Sequence, residues 1–260
     1  MVRPRRFVGF LLAAMASLSA FVPATRADIN GFGDFSDYTL NILDSGTVPV
    51  ISIPDDKIEL ITGGGQARSI FYNTPQGVTS FETSFTLQMS RTDPRDDAGI
   101  AFVLQNDPAG ASTLYSYSSL ASAGIANSIE IPLGFNTTGF YKNGNFGGGS
   151  IPTSPVNILL DNPIKVDITY SGHLLIETLT DTITSDQFSH TYLLPEAISS
   201  IVGPTAFVGF TGGNGAAYGY DLQIISNFSY VPEVSSLVML GLAGCGFGGG
   251  ILYRRLKRRS

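Results

Sequence analysis

The stretch "IKVDITYSGHLLIETL" (residues 164–179) contains two apolar runs on either side of a Ser171-Gly172 pair. A serine-glycine pair between two such runs is a hairpin signal, since glycine adopts the backbone angles that a two-residue turn requires. We therefore predict two antiparallel strands joined at Ser171 and Gly172.

The same strand pattern recurs through the middle of the chain. In "FETSFTLQM" (residues 81–89), apolar side chains stand at Phe81, Phe85, Leu87 and Met89. No segment keeps a 3.6-residue period beyond two turns, which argues against long helices. The sequence predicts an all-β sandwich that forms one domain over residues 28–230. Further apolar runs lie at 99–106, 188–194, 205–211 and 222–230, and glycine-rich turns at 63–65, 143–149 and 211–215.

The N-terminus has the parts of a secretory signal peptide. Basic residues at the start precede an apolar run over 7–22, and small residues stand at Thr25 and Ala27. The apolar run is shorter than the ~20 residues that a bilayer span needs, so a membrane anchor fits less well. We predict a signal peptide over 1–27.

The C-terminus has the order of a membrane-sorting tail. Residues 234–253 carry no charge, and a basic cluster follows at 254–259. Basic residues stay on the cytoplasmic side, so a transmembrane span is predicted over 234–253. With Pro232 and Glu233 ahead of it, residues 231–260 resemble the PEP-CTERM sorting signal of Gram-negative bacteria, although Val234 replaces its second proline. This resemblance implies an exosortase-type membrane peptidase as partner, a transient inner-membrane anchor, and export to the cell envelope or beyond.

Charge and cysteine content restrict the function of residues 28–230. They hold six basic and twenty acidic residues, a net charge of −14. This charge repels phosphate backbones and excludes nucleic acid as a partner. It is compatible with cation binding and equally with plain solubility. The one cysteine, Cys245, lies in the tail, so no disulfide supports the domain. His173 and His190 stand near no serine motif or zinc-ligand spacing, which argues against a triad or a zinc site.

Seven stretches in the right order resemble the L-type (legume-like) lectins, in the bacterial branch. The resemblance implies a concanavalin-like jelly roll of two antiparallel sheets. It also implies a sugar site in loops at one edge of the concave face. The stretches are residues 34–41, 67–75, 99–110, 126–131, 137–144, 166–184 and 205–230.

Two motifs of those lectins are altered in this chain. Their Ala-Asp-Gly, whose Asp binds sugar hydroxyls, aligns with Asp97-Ala98-Gly99. Their Glu-x-Asp, which helps to hold calcium and manganese, aligns with Glu130-Ile131-Pro132, or with Gly134 at the Asp in another register. Calcium needs 6–8 oxygen ligands, so we expect the two-metal site to be absent and no cofactor to be required. Asp93, Asp96 and Asp97 remain weak candidates for a cation or for sugar hydroxyls; they could equally form a solvated turn.

Two further loops are candidates for contact with a sugar. Rings of Tyr141 and Phe146 could form an apolar platform, with Asn143 and Asn145 as hydrogen-bonding partners. In the loop 211–215, bare glycine backbone could approach a ligand. Either loop could instead be an ordinary hairpin whose residues only serve the fold. The predicted carbohydrate contacts are Asp97, Tyr141, Asn143, Gly212, Gly213 and Asn214.

Hydrolysis is the enzymatic alternative, and the sequence argues against it. A retaining glycosidase needs two carboxyl groups about 5 Å apart. The positions that follow Glu130 in the required pattern are Pro132 and Phe135, and Glu177 and Asp181 would lie ~13 Å apart along a strand. We predict a carbohydrate-binding protein without catalysis, with a polysaccharide or glycan as ligand. The alternative is a structural or adhesive matrix protein on a lectin scaffold whose sugar site has decayed.

Overall fold

The computed structural model describes residues 28–43, 48–90, 99–115, 119–145, 149–214 and 222–233. The predicted signal peptide, the span and the basic end lie outside these residues and stay predictions. Within the described residues, the strands and the one α-helix are β1 (Ile29–Asn30), β2 (Tyr38–Ile42), β3 (Val50–Ser52), β4 (Lys57–Ile61), β5 (Ala67–Tyr72), β6 (Gln76–Gly77), β7 (Ser80–Ser90), β8 (Gly99–Gln105), β9 (Ser128–Gly134), β10 (Thr137–Thr138), β11 (Tyr141–Lys142), β12 (Ile151–Pro152), β13 (Ile164–Ser171), β14 (Leu174–Asp181), β15 (Gln187–Leu193), α1 (Ile198–Val202), β16 (Thr205–Gly213) and β17 (Leu222–Pro232).

The strands form two antiparallel sheets, as the sequence predicts. The back sheet has the order β15-β14-β13-β7-β17-β4-β3, with β1 also paired to β17. The front sheet has the order β12-β10-β9-β8-β16-β5-β2, with β11 also paired to β9 and β6 to β16. Some neighbours are consecutive, such as β13 and β14, but others are distant in sequence, such as β7 and β17 or β5 and β16, so the chain crosses repeatedly between the two layers.

Alternation along the strands decides which side chains fill the space between the sheets. On β7, Phe81, Phe85, Leu87 and Met89 are all buried, which confirms the predicted inward face. Phe85 meets Phe210 of the front sheet with ring centroids 4.9 Å apart, and Phe210 meets Phe228 at the same distance. Edge-to-face aromatic pairs of this kind add about 0.5–1.5 kcal/mol beyond their buried area. The described domain holds no cysteine, so packing takes the place of disulfides.

The predicted hairpin is present, with its turn displaced by one residue. Ser171 pairs with Leu174, so the two turn residues are Gly172 and His173 rather than Ser171 and Gly172. Gly172 has a φ of +65°. A turn that needs a positive φ at its first central position favours glycine there, which explains the shift.

A second apolar cluster lies on the outer face of the front sheet, the face that points away from the back sheet. It consists of buried Phe71, Ala101, Val103, Leu120 and Ile125. Leu120 and Ile125 come from the connection between β8 and β9. This connection therefore lies over the front sheet and closes part of its outer face.

Both ends of the described domain lie at one end of the sandwich. Ile29 pairs with Tyr230, and the Glu233 amide donates to the Ser80 carbonyl at the start of β7. The other end of β7, at Ser90, pairs with Leu222 and leads toward residues 91–98. The eleven residues of β7 span roughly 35 Å between these ends. In the part of the chain that the structure describes, no helix is long and apolar enough to cross a membrane.

Gly209 tests the packing of β16 on β5. A Cβ at this position would lie 2.0 Å from the Ile70 carbonyl oxygen and 2.8 Å from the Phe71 Cα. Backbone cannot move aside as a flexible side chain can, so Gly209→Ala is expected to destabilise the fold by about 3 kcal/mol or more. Gly33→Ala is the control, since a Cβ there meets nothing within 4 Å. Urea unfolding monitored by circular dichroism measures both; equal midpoints for the two variants would contradict this register.

Candidate functional site

Three glycines and an alanine line up across the front sheet at the end opposite the termini. Gly99 pairs with Gly134 on one side and with Gly213 on the other, and Gly213 pairs with Ala67. We call these four residues the glycine row. Residues 91–98 precede Gly99, and residues 215–221 follow one residue after Gly213. The row therefore lies at the described strand ends next to these two segments of the sequence.

Asn214 clamps the strand connection next to the glycine row. Its Oδ1 accepts a hydrogen bond from the Gln66 amide at 2.8 Å, and its Nδ2 donates to the Gly63 carbonyl at 2.6 Å. The Asn214 backbone amide also donates to the Gln66 carbonyl. Asn214 is 1% exposed. Both ends of its amide thus serve the turn between β4 and β5, which links the two sheets.

Further polar groups fasten the two sheets at this end. Arg68 is fully buried, and its Nη1 donates to the Leu60 carbonyl of the back sheet at 2.9 Å. Gln66 Oε1 accepts from the Thr62 amide at 2.8 Å, and Gln223 Nε2 donates to the Gly213 carbonyl at 3.3 Å. Hydrogen bonds that replace lost hydration hold buried polar groups in fixed places. The base of the loops is therefore rigid.

Gly212 and Gly213 are predicted carbohydrate contacts that the structure places inside a strand. Both lie within β16 rather than in a loop, and both are buried. A Cβ on Gly212 would lie 2.8 Å from Gln223 Oε1 and 3.1 Å from Leu60 Cδ2, so glycine is needed for close packing. Gly212, Gly213 and Asn214 are buried and expose little surface. Their contacts serve the fold, and direct contact with a sugar stays a prediction.

Two buried side-chain atoms near the row have no hydrogen-bond partner in the structure. They are Thr211 Oγ1, two residues before Gly213, and Gln223 Oε1. An unpaired buried polar atom costs about 1–3 kcal/mol, so each one calls for a structural or functional explanation. The sequence gives no signal for them, because threonine and glutamine are common in strands.

The other predicted contacts fall into two groups. Asp93, Asp96, Asp97 and Phe146 lie outside the described residues, so their roles stay predictions. Tyr141 is 7% exposed, which matches the alternative of a ring tucked into the fold and leaves little surface for a sugar.

Asn143 is exposed but stands far from the glycine row. Its backbone amide donates to the Ser128 carbonyl at 3.0 Å, and its side-chain Oδ1 accepts from the Ser128 backbone amide at 3.2 Å. Ser128 begins β9 and Gly134 ends it, a separation of roughly 20 Å along the strand. One sugar ring cannot contact both Asn143 and the glycine row. The structure therefore separates the predicted contacts into two places.

Phe135 is a candidate that the sequence analysis did not select. It follows Gly134 in the β9–β10 turn, is 43% exposed, and has a φ of +52°. A bulky residue with positive φ is uncommon and indicates a constrained turn. The signal in the sequence is a large aromatic residue inside a Gly-Phe-Asn turn, where small residues are usual. Phe135 directly follows Gly134, the member of the glycine row that ends β9.

The residues at the expected metal position do not fit a metal site. Glu130 is fully buried, and its Oε1 accepts from the Ser128 hydroxyl at 2.8 Å and the Gly144 amide at 2.9 Å. Its Oε2 accepts from the Ser122 hydroxyl at 3.2 Å. Burial raises the pKa of Glu130, and these donors oppose the rise. Pro132 offers no side-chain oxygen. Among the described residues, no group of three or more His, Cys, Asp or Glu side chains could hold a metal ion.

Glu177 is also engaged in the fold rather than in a catalytic pair. It points between the sheets, is fully buried, and accepts hydrogen bonds from the Thr138 hydroxyl at 2.8 Å and the Tyr192 hydroxyl at 2.9 Å. Burial raises the pKa of Glu177 to about 7. Asp181 Oδ1 accepts from the amides of Ile183 and Thr184, so it shapes a turn. Neither carboxylate gives hydrolysis any support.

Comparisons with known proteins identify the fold. No protein-family model matches the chain, and no curated protein sequence matches it. Among solved structures, arcelin-5, a lectin-like defence protein from Phaseolus vulgaris, has a TM-score of 0.63 and 17% identity, covering 82% of this chain and 100% of that one. Lectin I-B4 from Griffonia simplicifolia, in a metal-free form, has a TM-score of 0.64 and 13% identity, covering 80% and 100%. A lectin from Bauhinia forficata in complex with GalNAc has a TM-score of 0.59 and 14% identity, covering 80% and 98%. The predicted L-type lectin sandwich is thereby confirmed as the fold.

The clamp can be tested by Asn214→Ala. The substitution leaves the Gln66 amide and the Gly63 carbonyl without their buried partners, so a loss of about 1–3 kcal/mol in unfolding free energy is expected. Asn73→Ala is the control, because Asn73 makes its side-chain hydrogen bonds at an exposed position. Urea unfolding measures both. A loss no larger than that of the control would contradict the clamp.

Glu177 makes stability depend on pH. Its pKa is 4.5 when unperturbed and about 7 in the fold, so the folded state binds more protons between these values. This contribution to stability is complete below pH 4.5 and falls as pH rises to about 7. Glu177→Gln keeps the shape of the side chain and removes its charge. Its free energy of unfolding should therefore exceed that of wild type by a small amount at pH 5 and by roughly 3 kcal/mol at pH 8. Urea unfolding at both pH values measures this.

The control for that experiment is the exposed Glu82 on β7. Glu82→Gln should change stability by similar small amounts at pH 5 and pH 8. If the difference in unfolding free energy between Glu177→Gln and wild type is the same at pH 5 and pH 8, the raised pKa of Glu177 would be contradicted.

Proposed function

We propose that this protein, whose chain has the fold of the legume lectins, binds carbohydrate without catalysis at the end of the front sheet that carries the glycine row. The observation that carries the proposal is the set of buried hydrogen bonds by which Asn214 and Arg68 fix the strand ends next to residues 91–98 and 215–221 in the sequence. A binding loop on a rigid base loses less conformational freedom when a ligand binds, so more of the contact energy appears as affinity. The fold alone does not imply the activity; this site supports it.

The chemistry around the row suits a sugar ring. Sugar sites combine an apolar platform with a few fixed polar groups. The half-exposed ring of Phe135 supplies the platform beside Gly134. Asp93, Asp96 and Asp97 would supply carboxylates from the segment that precedes Gly99 in the sequence.

The ligand is proposed to be a neutral glycan or polysaccharide. One of the solved lectins holds GalNAc and another, UEA-II, is complexed with galactose, so pyranoses of this kind are the first ligands to test. The net charge of −14 over residues 28–230 would repel polyanionic polysaccharides. A single shallow site of millimolar affinity corresponds to about −4 kcal/mol, so firm attachment would depend on several copies acting together.

The protein is further proposed to be exported and sorted to the cell envelope. Support comes from the sequence of residues 1–27 and 231–260, with Pro232 and Glu233 before the predicted span. An exosortase-type peptidase and, before processing, the membrane would then be partners. Glu233 lies at the end of the sandwich away from the glycine row. A domain held by its tail would therefore present the loops away from the membrane.

The second candidate function is a structural or adhesive matrix protein without a sugar site. It is favoured by the burial of Gly212, Gly213 and Asn214, which leaves these three predicted contacts with little exposed surface. It predicts self-association without any glycan, whereas the first candidate predicts glycan binding at low protein concentration.

A glycan and polysaccharide array with the full-length chain tests the proposal, run in calcium and again in chelator. Binding is expected in both buffers, and Phe135→Ala should weaken it about tenfold by removing the aromatic platform. The matched control is Leu193→Ala, an exposed apolar residue of the back sheet at the other end of the sandwich. If no glycan binds in either buffer and the protein instead self-associates, the result would contradict carbohydrate binding and support the matrix function.

A further inference from the structure

We propose that Glu130 is a positioning residue that fastens the surface segments over the front sheet by its own hydrogen bonds, in the place where the resembled lectins hold metal ions. Its effect on glycan binding rests on the proposed function; its effect on loop order does not. Glu130 aligns with a metal ligand of those lectins, yet its carboxylate already accepts three hydrogen bonds from the protein itself. This difference motivates the proposal.

Glu130 joins three separate parts of the chain. The Ser128 hydroxyl donates to it from within β9, the Gly144 amide from the turn after β11, and the Ser122 hydroxyl from the connection between β8 and β9. The three distances run from 2.8 to 3.2 Å. Hydrogen bonds to an ionised acceptor are about twice as strong as neutral ones, so one carboxylate can hold both segments on the sheet.

The two segments that Glu130 holds also touch each other. An ideal Cβ on Gly144 would lie 2.0 Å from the Gly124 nitrogen and 3.0 Å from the Ala123 carbonyl carbon. Only glycine permits this approach, and its φ of +65° also favours glycine. Residues 142–145 and 122–124 therefore form one layer above the carboxylate and keep it from solvent.

This layer reaches the proposed binding edge through Leu120. An ideal Cβ on Gly99 would lie 2.7 Å from Leu120 Cδ2, so the leucine rests directly on the glycine row. Leu120 has a φ of +58°, which a leucine adopts only when its surroundings impose it. Ser122, two residues later, is bonded to Glu130. The carboxylate thus fixes the segment that covers the first residue after the 91–98 loop.

A cation at Glu130 would compete with these donors. Oε1 already receives an N–H and an O–H, whose partial positive charges would face an incoming metal ion at close range. The position two residues along, where the family pattern has an aspartate, is Pro132. Hydrogen-bond donors of the protein therefore stabilise the Glu130 carboxylate without a metal ion.

Glu130→Gln separates the two possibilities in the full-length protein. Glutamine keeps an acceptor oxygen for Ser128 and Gly144, and its amide group can donate to the Ser122 oxygen, so the network survives. A metal site would lose its charged ligand. Glu130→Ala removes all the acceptors. Glu177→Gln is the control, since it neutralises an equally buried carboxylate that touches neither segment.

Amide hydrogen exchange at Gly144 and melting temperature, in chelator and with calcium or manganese, are the readouts. The wild type and Glu130→Gln should keep Gly144 protected, with melting temperatures that differ by less than about 1 °C between buffers. Glu130→Ala should exchange at least about tenfold faster at Gly144, and Glu177→Gln should match wild type there. If Glu130→Ala does not fold, Ser122→Ala removes the Oε2 donor alone and should speed exchange over 119–124.

Two results would overturn the assignment. A metal at 100 times its dissociation constant would raise the melting temperature of wild type by about 5–10 °C, and loss of that rise in Glu130→Gln would make Glu130 a metal ligand. Unchanged Gly144 exchange in Glu130→Ala would show that the carboxylate holds nothing. Neither readout involves a glycan, so a failed glycan array would refute the proposed function and leave this assignment standing.

Discussion

The antiparallel register that aligns Gly134, Gly99 and Gly213 is the constraint on which the rest of the structure depends. Side chains alternate between faces, so a slip of one residue would reverse every inward and outward position of a strand. With the observed register, Phe102 and Phe210 point into the core while Glu130 stands on the outer face among hydrogen-bond donors. A slipped β9 would place that carboxylate between the sheets.

Among the described residues, Glu130 and Glu177 are the two carboxylates with 0% exposure, and they stabilise different layers. Glu177 lies between the sheets and joins β14 to Thr138 and Tyr192. Glu130 lies on the opposite side of the front sheet and joins surface segments to it. Burying a carboxylate is costly unless donors surround it, so each position has a specific set of hydroxyls or amides. In a domain without disulfides, these networks add fixed geometry to the nonspecific packing of the aromatic core.

The sequence is sufficient for the fold but only partly for the site. Apolar alternation at Phe85, Leu87 and Met89 predicts the inward face of β7, and the structure confirms it. Glycine content at 211–215 predicts a loop, yet Gly212 and Gly213 lie in β16. At Gly212 the reason for glycine is tertiary packing, since a Cβ there would collide with Gln223 and Leu60. Such contacts join residues far apart in the chain, and no local pattern records them. Asn214 is an example of the same limit, since its partners lie about 150 residues earlier.

Amide hydrogen exchange of the full-length protein, with and without a saturating concentration of the glycan that binds it most tightly, tests the central claim most directly. The account predicts slower exchange on glycan addition in residues 91–99, 134–136 and 214–222, which include or adjoin Gly99, Gly134 and Gly213 in the sequence. Exchange over 140–145 and over β15 should not change. Protection confined to 140–145, or spread over the back sheet, would place the binding surface elsewhere and contradict the account.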